Sequence, residues 1–249
     1  MAERTMQSGA KRKMNGRILP EKFHILSGSA LKTIALVSML IDHIAALLLV
    51  NHPIPLITVF GRHITLYYLM RFVGRLAFPI FACLIAEGYL HTRNRIRYGA
   101  VLLAFALLSE IPWDLNFGRA IVDFSTQNVF FTLSLGYLGI CAYEGLKKRW
   151  FLRAGAIIAL LILSMLMHAD YGITGFCFIL LMYALREHEL LRGAIGTGML
   201  SWRAGLAFLP LALYNGKRGF IKGPVLKYAF YLFYPVHLLI LYCIRLCLG

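Results

Sequence analysis

Acidic residues are scarce in this chain. Eleven Asp and Glu face 26 Lys and Arg across 249 residues, a formal net charge of +15. In a soluble protein that balance would point to nucleic acid, but no nucleic-acid-binding motif accompanies it, so nucleic acid is not an expected partner. The signatures of soluble catalysis are missing as well: there is no G-x-S-x-G, no Walker loop and no H-E-x-x-H. Cysteine is limited to Cys83, Cys141, Cys177, Cys243 and Cys247, all inside apolar runs. Their odd number argues against a disulfide framework, and none has zinc-ligand spacing, so no metal site is expected. They read as small buried hydrophobes. Internal repeats and low-complexity segments are also lacking.

What the chain has is apolar sequence. It is 59% hydrophobic, with a mean hydropathy of +0.70, where soluble domains sit near 45–50%. The excess lies in continuous runs of about 17–25 residues, the length that spans ~30 Å of hydrocarbon as a helix. The runs do not alternate every second residue, which excludes a barrel pattern. The expected fold is an all-α, polytopic transmembrane bundle of about eight spans, at 31–50, 66–90, 97–113, 128–146, 152–168, 171–186, 191–213 and 226–247. Residues 1–28 form a polar, basic tail, expected to be cytoplasmic and partly disordered. Residues 29–249 form a single integral-membrane domain.

Lys and Arg set the orientation. An N-terminus inside places the tail's basic residues in the cytoplasm, with Arg93, Arg95 and Arg97, then Lys147, Lys148, Arg149 and Arg153, then Arg186 and Arg192. The expected outer loops at 51–65 and 114–127 carry one basic residue each, Arg62 and Arg119. One loop breaks the pattern. YNGKRGFIKGPVLK holds Lys217, Arg218, Lys222 and Lys227, and eight full crossings put it outside. Either these cations have a function there, or the seventh segment does not fully cross. That segment, rich in glycine (Gly193, Gly196, Gly198, Gly205) and carrying Arg203, is the weakest of the eight. A basic, glycine-flanked loop suits phosphate binding.

Several polar residues lie within or beside the spans, where an ionised group costs about 2.5–3.5 kcal/mol. Asp42 and His43 are adjacent in IDHIAALL, so on a helix they project ~100° apart and do not form a dyad. Each needs a partner from another helix. Arg71 and Arg75 share one face of the second span, and pairing Asp42 with one of them leaves the other for a ligand or a second carboxylate. The same pairing also reads as a purely structural lock. His43 is either a packed, hydrogen-bonded histidine or a general base suited to neutral pH. Glu87 and Glu110 close the second and third spans, and Asp170 lies in the HADYG turn. In the last span Tyr228, Tyr231, Tyr234 and His237 recur every third residue as a drifting polar-tipped stripe.

The ordered set IDHIAALL, RFVGRLAFPIFACLIAEGYLHTRN, LLSEIPWDL, QNVFFTLSLG, HADYGITG, LYNGKRG and KYAFYLFYPVHLLIL resembles the TraX family over almost all of residues 31–242. The resemblance implies a bacterial inner-membrane acyltransferase, similar to the pilin N-terminal acetylase of conjugation systems and to a branch of the acyltransferase-three superfamily. It implies acetyl-CoA as co-substrate and an amine or hydroxyl acceptor, a pilin or another small cell-surface substrate. It assigns the catalytic base to His43, with Asp42 beside it. Arg71, Arg75, Asn215, Lys217 and Arg218 become candidates for the CoA phosphates or the oxyanion. Tyr234 and His237 are candidates for the acceptor side, and Glu87, Glu110 and Asp170 are supporting carboxylates. Two other readings stand beside this one. Intramembrane Asp, His, Glu and Arg also suit a proton-coupled transporter, and a non-catalytic membrane partner would use them only to lock helices together.

Overall fold

The structure is a computed structural model that describes residues 19–51, 54–59, 62–118 and 120–248. The expected basic tail falls largely on 1–18 and lies outside the described residues, as does Arg119. The helices are α1 (Gly28–Ile44, continued by a π-helical turn Ala45–Leu49), α2 (Leu66–Gly74), α3 (Ala77–His91), α4 (Arg95–Phe117), α5 (Val129–Gly145), α6 (Trp150–Leu166), α7 (Gly172–Ala184), α8 (Glu189–Leu200), α9 (Trp202–Gly205), α10 (Phe208–Ala212) and α11 (Pro224–Leu248). Each expected span falls on helical sequence. Four stretches are long and apolar enough to cross a membrane: Gly28–Leu49, Leu66–His91, Arg95–Phe117 and Pro224–Leu248. The apolar helices α5, α6 and α7 are shorter. The chain is a membrane protein.

Its polar caps fix where helices begin. Ser27 accepts the Ala30 N–H at the start of α1, and Asn94 accepts Arg97 N–H at 2.8 Å at the start of α4. The second expected span breaks at Arg75–Leu76. Pro79, one turn on, has no N–H for the Arg75 carbonyl and its ring crowds that carbonyl. Helix α5 is apolar all round and sits in the middle, with Phe130 to Gly136 buried without interruption. On α6, equally apolar, only Ser164 is buried, and Ile158, Ile162 and Leu166 face outward. That exposed apolar surface is what lipid would cover.

Two features depart from the all-helical expectation. The loop at 51–65 contains an antiparallel hairpin, β1 (Pro55–Val59) with β2 (Arg62–Thr65). Its strand sequences, PLITV and RHIT, are rich in β-branched residues.

The other departure is the expected span at 191–213, which is not one helix. After Leu200 the chain reverses, and α9 and α10 fold back on α8, with Phe208 packing over Gly193 and Gly196 and Thr197 against Gly205. Glycine lets the two arms approach closely, and Pro210 denies a hydrogen bond to the Leu206 carbonyl. The hairpin ends at the end of the bundle where α1 begins. Leu26 N–H donates to Leu213 C=O at 2.9 Å, Gly28 N–H to Lys217 C=O at 2.8 Å and Ser29 N–H to Arg218 C=O at 2.9 Å. Gly219, at φ 86°, lies so close to Ser27 and Ser29 that a side chain there would strike both. The loop at 214–227 therefore sits with the N-terminus of α1, not at the opposite end. Lys217, Arg218, Lys222 and Lys227 join the other basic turns at one end, called here the basic end.

Candidate functional site

Asp42 and His43 turn to different neighbours. Asp42 forms an ion pair with Arg71 of α2. Gly74, one turn beyond Arg71, makes this possible, since a Cβ there would overlap the Asp42 carboxylate. Arg75 does not share the pair. It lines a separate pocket of about 290 Å³ with Phe78, Pro79, Tyr171, Thr174 and the α8–α9 turn. Both arginines are near the end opposite the basic end, so they are not brought together with the NGKRG loop.

His43 reaches across to α11. Its Nδ1 is 2.7 Å from His237 Nε2, and the two rings meet edge to edge and nearly coplanar, with centroids 5.0 Å apart and an 8° interplanar angle. His237 Nδ1 lies 2.8 Å from the Phe233 carbonyl. Tyr234 stands edge-on to His43 at 6.1 Å, and Phe117 of α4 closes another side at 6.0 Å. Both histidines are buried. From Gly28 to His43 the helix rises about 22 Å, which places the imidazole pair deep in the bundle.

Two adjacent cavities lie between the basic end and this pair. The outer one is a vestibule of about 720 Å³ whose cations are Lys32, Arg93, Arg218 and Lys227, with Glu87, His91, Tyr214 and the backbone at Gly28 and Gly216. The inner one is a narrow, apolar passage of about 80 Å³. Lys32, Leu84, Tyr98, Lys227 and Tyr231 line both, so the cavities adjoin across these side chains. The passage runs down matching faces of two parallel helices. On α1, Lys32, Leu36 and Met39 line it, and His43 follows on the same face, three turns from Lys32. On α11, Lys227, Tyr231 and Tyr234 line it, with His237 next. Tyr234, at its inner end, is the residue that touches His43.

The remaining candidates divide by position. Arg218 faces the vestibule and also binds Ser29 through its carbonyl. Asn215 instead builds the loop, accepting the Lys217 N–H at 2.8 Å, and Lys217 is exposed outside the vestibule lining. Glu87 of α3 and Tyr214 of the loop face each other across the vestibule wall. Burial, and then that carboxylate, push the Tyr214 phenol well above its ordinary pKa. Glu110 accepts from the Asn128 side chain, which also donates to the Ala106 carbonyl at 2.8 Å. Asp170 sits in the turn that pairs with Gln127, its N–H donating to Gln127 C=O at 2.9 Å. Sequence reasoning missed Lys32 and Met39, and it grouped Lys227 with the basic loop without placing it on the vestibule wall. The signal for Lys32 was present, because eleven residues is three helical turns and puts it in line with His43.

The family model described as "TraX protein" matches residues 27–245. A relative from Dichelobacter nodosus, "Probable fimbrial assembly protein FimC, serogroup H1", is 31% identical over 245 residues, covering 86% of this chain and 94% of the relative. No solved structure matches.

Proposed function

The chain belongs to the TraX family, and on that premise we propose that it is a membrane-embedded acyltransferase of the acyltransferase-three type. It transfers an acetyl group from acetyl-CoA to an amine or hydroxyl. The observation that carries this reading is the shape of the cavity: a wide cationic mouth, a thin apolar neck, and a histidine beyond the neck. A CoA thioester has that shape in reverse. Its phosphates suit Lys32, Arg93, Arg218 and Lys227, and its pantetheine arm suits a passage about three helical turns deep.

His43 is the general base. As the acceptor nitrogen or oxygen attacks the thioester carbonyl, His43 takes its proton. The carbon–sulfur bond then breaks, and the thiolate recovers the proton from the imidazolium to leave as free CoA. Asp42 holds α1 against α2 through Arg71. On the positive-inside rule the basic end faces the bacterial cytoplasm, where acetyl-CoA is made, and the acceptor approaches from the opposite end. The FimC relative's name supports a role in fimbrial assembly, with a pilin as acceptor.

The test uses purified protein in nanodiscs with acetyl-labelled CoA. Label is expected on an amine or hydroxyl acceptor, or in slow hydrolysis to free CoA, and His43→Ala is expected to abolish both. If acetyl-CoA neither binds nor turns over, the reading fails. A pH gradient dissipated by the wild type in liposomes would instead favour the transporter.

A further inference from the structure

The pair of hydrogen-bonded imidazoles has a direction. A backbone carbonyl only accepts, so the 2.8 Å contact between His237 Nδ1 and the Phe233 carbonyl puts the His237 proton on Nδ1. A neutral imidazole then has an acceptor at Nε2. Among the described residues the group offered to that acceptor, at 2.7 Å, is His43 Nδ1, which must donate. His43 therefore carries its proton on Nδ1 and leaves Nε2, on the far side of the ring, as a bare lone pair. Free imidazole side chains in water favour the other tautomer, so His43 needs a partner to hold this one.

Resting on the reading of His43 as the base, we propose that His237 is a positioning residue, anchored by the Phe233 carbonyl, that fixes His43 in the Nδ1–H tautomer and aims its Nε2 lone pair at the acceptor. The arrangement serves the purpose a carboxylate serves in other base-orienting pairs, with one difference. A carboxylate would also favour the imidazolium and raise the pKa of His43, whereas a second, neutral imidazole orients the ring without adding that charge. The charged and titratable groups around the pair are Arg71 on α2, already matched by Asp42, Tyr234 on α11, Asp170 in the turn before α7, within reach of both arginines, and Glu110 on α4, held by Asn128.

The test has an arm that does not depend on catalysis. Protein labelled with ¹⁵N at histidine, in nanodiscs, reports tautomers by NMR, and the His43→Gln spectrum identifies the His43 signals. The wild type is expected to show His43 protonated at Nδ1 and bare at Nε2. His237→Ala is expected to shift His43 toward Nε2–H. His237→Gln, whose Oε1 stands where Nε2 stood and can only accept, is expected to keep the wild-type tautomer. In turnover, His237→Ala is expected to lower kcat about 100-fold with KM for acetyl-CoA unchanged, the lower range of what a general base supplies. His237→Gln should restore most of that loss. His237→Glu is expected to move the acidic limb of the kcat–pH profile to higher pH, because a carboxylate favours the imidazolium. An Nε2–H tautomer in the wild type, or one unaltered by His237→Ala, overturns the proposal even if acetyl transfer is observed. The expected tautomers in a protein that transfers no acetyl group would leave the positioning geometry standing and remove the base it was to serve.

Discussion

Lys32 and Lys227 line both the vestibule and the neck, one on α1 and one on α11. Replacing each with Met keeps the length and apolar character of the stem and removes only the charge. A hydrogen bond to a charged group contributes about 1.5–3 kcal/mol when made in protein. The mouth is open, so the lower figure applies, and about 1.4 kcal/mol corresponds to tenfold in binding. Each substitution is therefore expected to raise KM for acetyl-CoA about 10-fold, and the pair about 100-fold if the two act independently. The thioester carbon lies several turns away, so contacts here are the same in ground and transition states and kcat is expected to hold. The control is acetyl-pantetheine, which has the arm and thioester without the phosphates. Its KM should barely differ between wild type and the double variant, and added salt should narrow the difference for acetyl-CoA. Equal losses with both donors would mean that the lysines support the fold or the neck, not the phosphates. An acetyl-CoA KM within about twofold of wild type would refute the vestibule as the donor site.

Two other outcomes test the frame around the site. Because the 214–227 loop sits with the N-terminus of α1, single cysteines at Gly216 and His91 in a cysteine-free background should be labelled from one side of the membrane, and cysteines at Leu56 and Phe124 from the other. Labelling of Gly216 and Leu56 from the same side would contradict the folded-back hairpin of α8–α10. Asp42→Asn leaves Arg71 facing a neutral partner between α1 and α2. Breaking a buried pair costs about 3–5 kcal/mol, and the side chains here are 27% and 18% exposed, so a loss of about 1–3 kcal/mol is expected after screening. A lower unfolding temperature in detergent would show it, while an unchanged one would mean the pair does not lock the helices.

Most of the helices were legible in the sequence because length and hydropathy alone define an apolar helix. The geometry of IDHIAALL was legible too. Adjacent residues on a helix diverge, and Asp42 and His43 meet Arg71 of α2 and His237 of α11. Three things were not legible. The Gly193–Gly205 region reads as a weak span because hydropathy counts residues and does not register a reversal, and only the contacts of Phe208 with Gly193 and Gly196 reveal it. The grouping of functional candidates was also hidden. Arg71, Arg75 and the NGKRG loop looked like one phosphate site by charge alone, yet they lie toward opposite ends of the bundle. The vestibule takes Arg218 and Lys227 from the 214–227 loop and joins them with Arg93 and with Lys32, which nothing in the sequence singled out. The small hairpin at Pro55–Thr65 was missed because its short strands lie between two much stronger helical signals.

The most direct test of the central claim is to mark where the acyl group goes. An acyl-CoA carrying a small photoreactive diazirine at the end of its acyl chain, irradiated with the protein in nanodiscs and mapped by mass spectrometry, should label Met39, Tyr234 and His43, the inner end of the neck and the imidazole beyond it. Excess acetyl-CoA should suppress that labelling, and Lys32→Met with Lys227→Met should weaken it. Labelling confined to the outward face of α6, or labelling that acetyl-CoA does not suppress, would contradict the account.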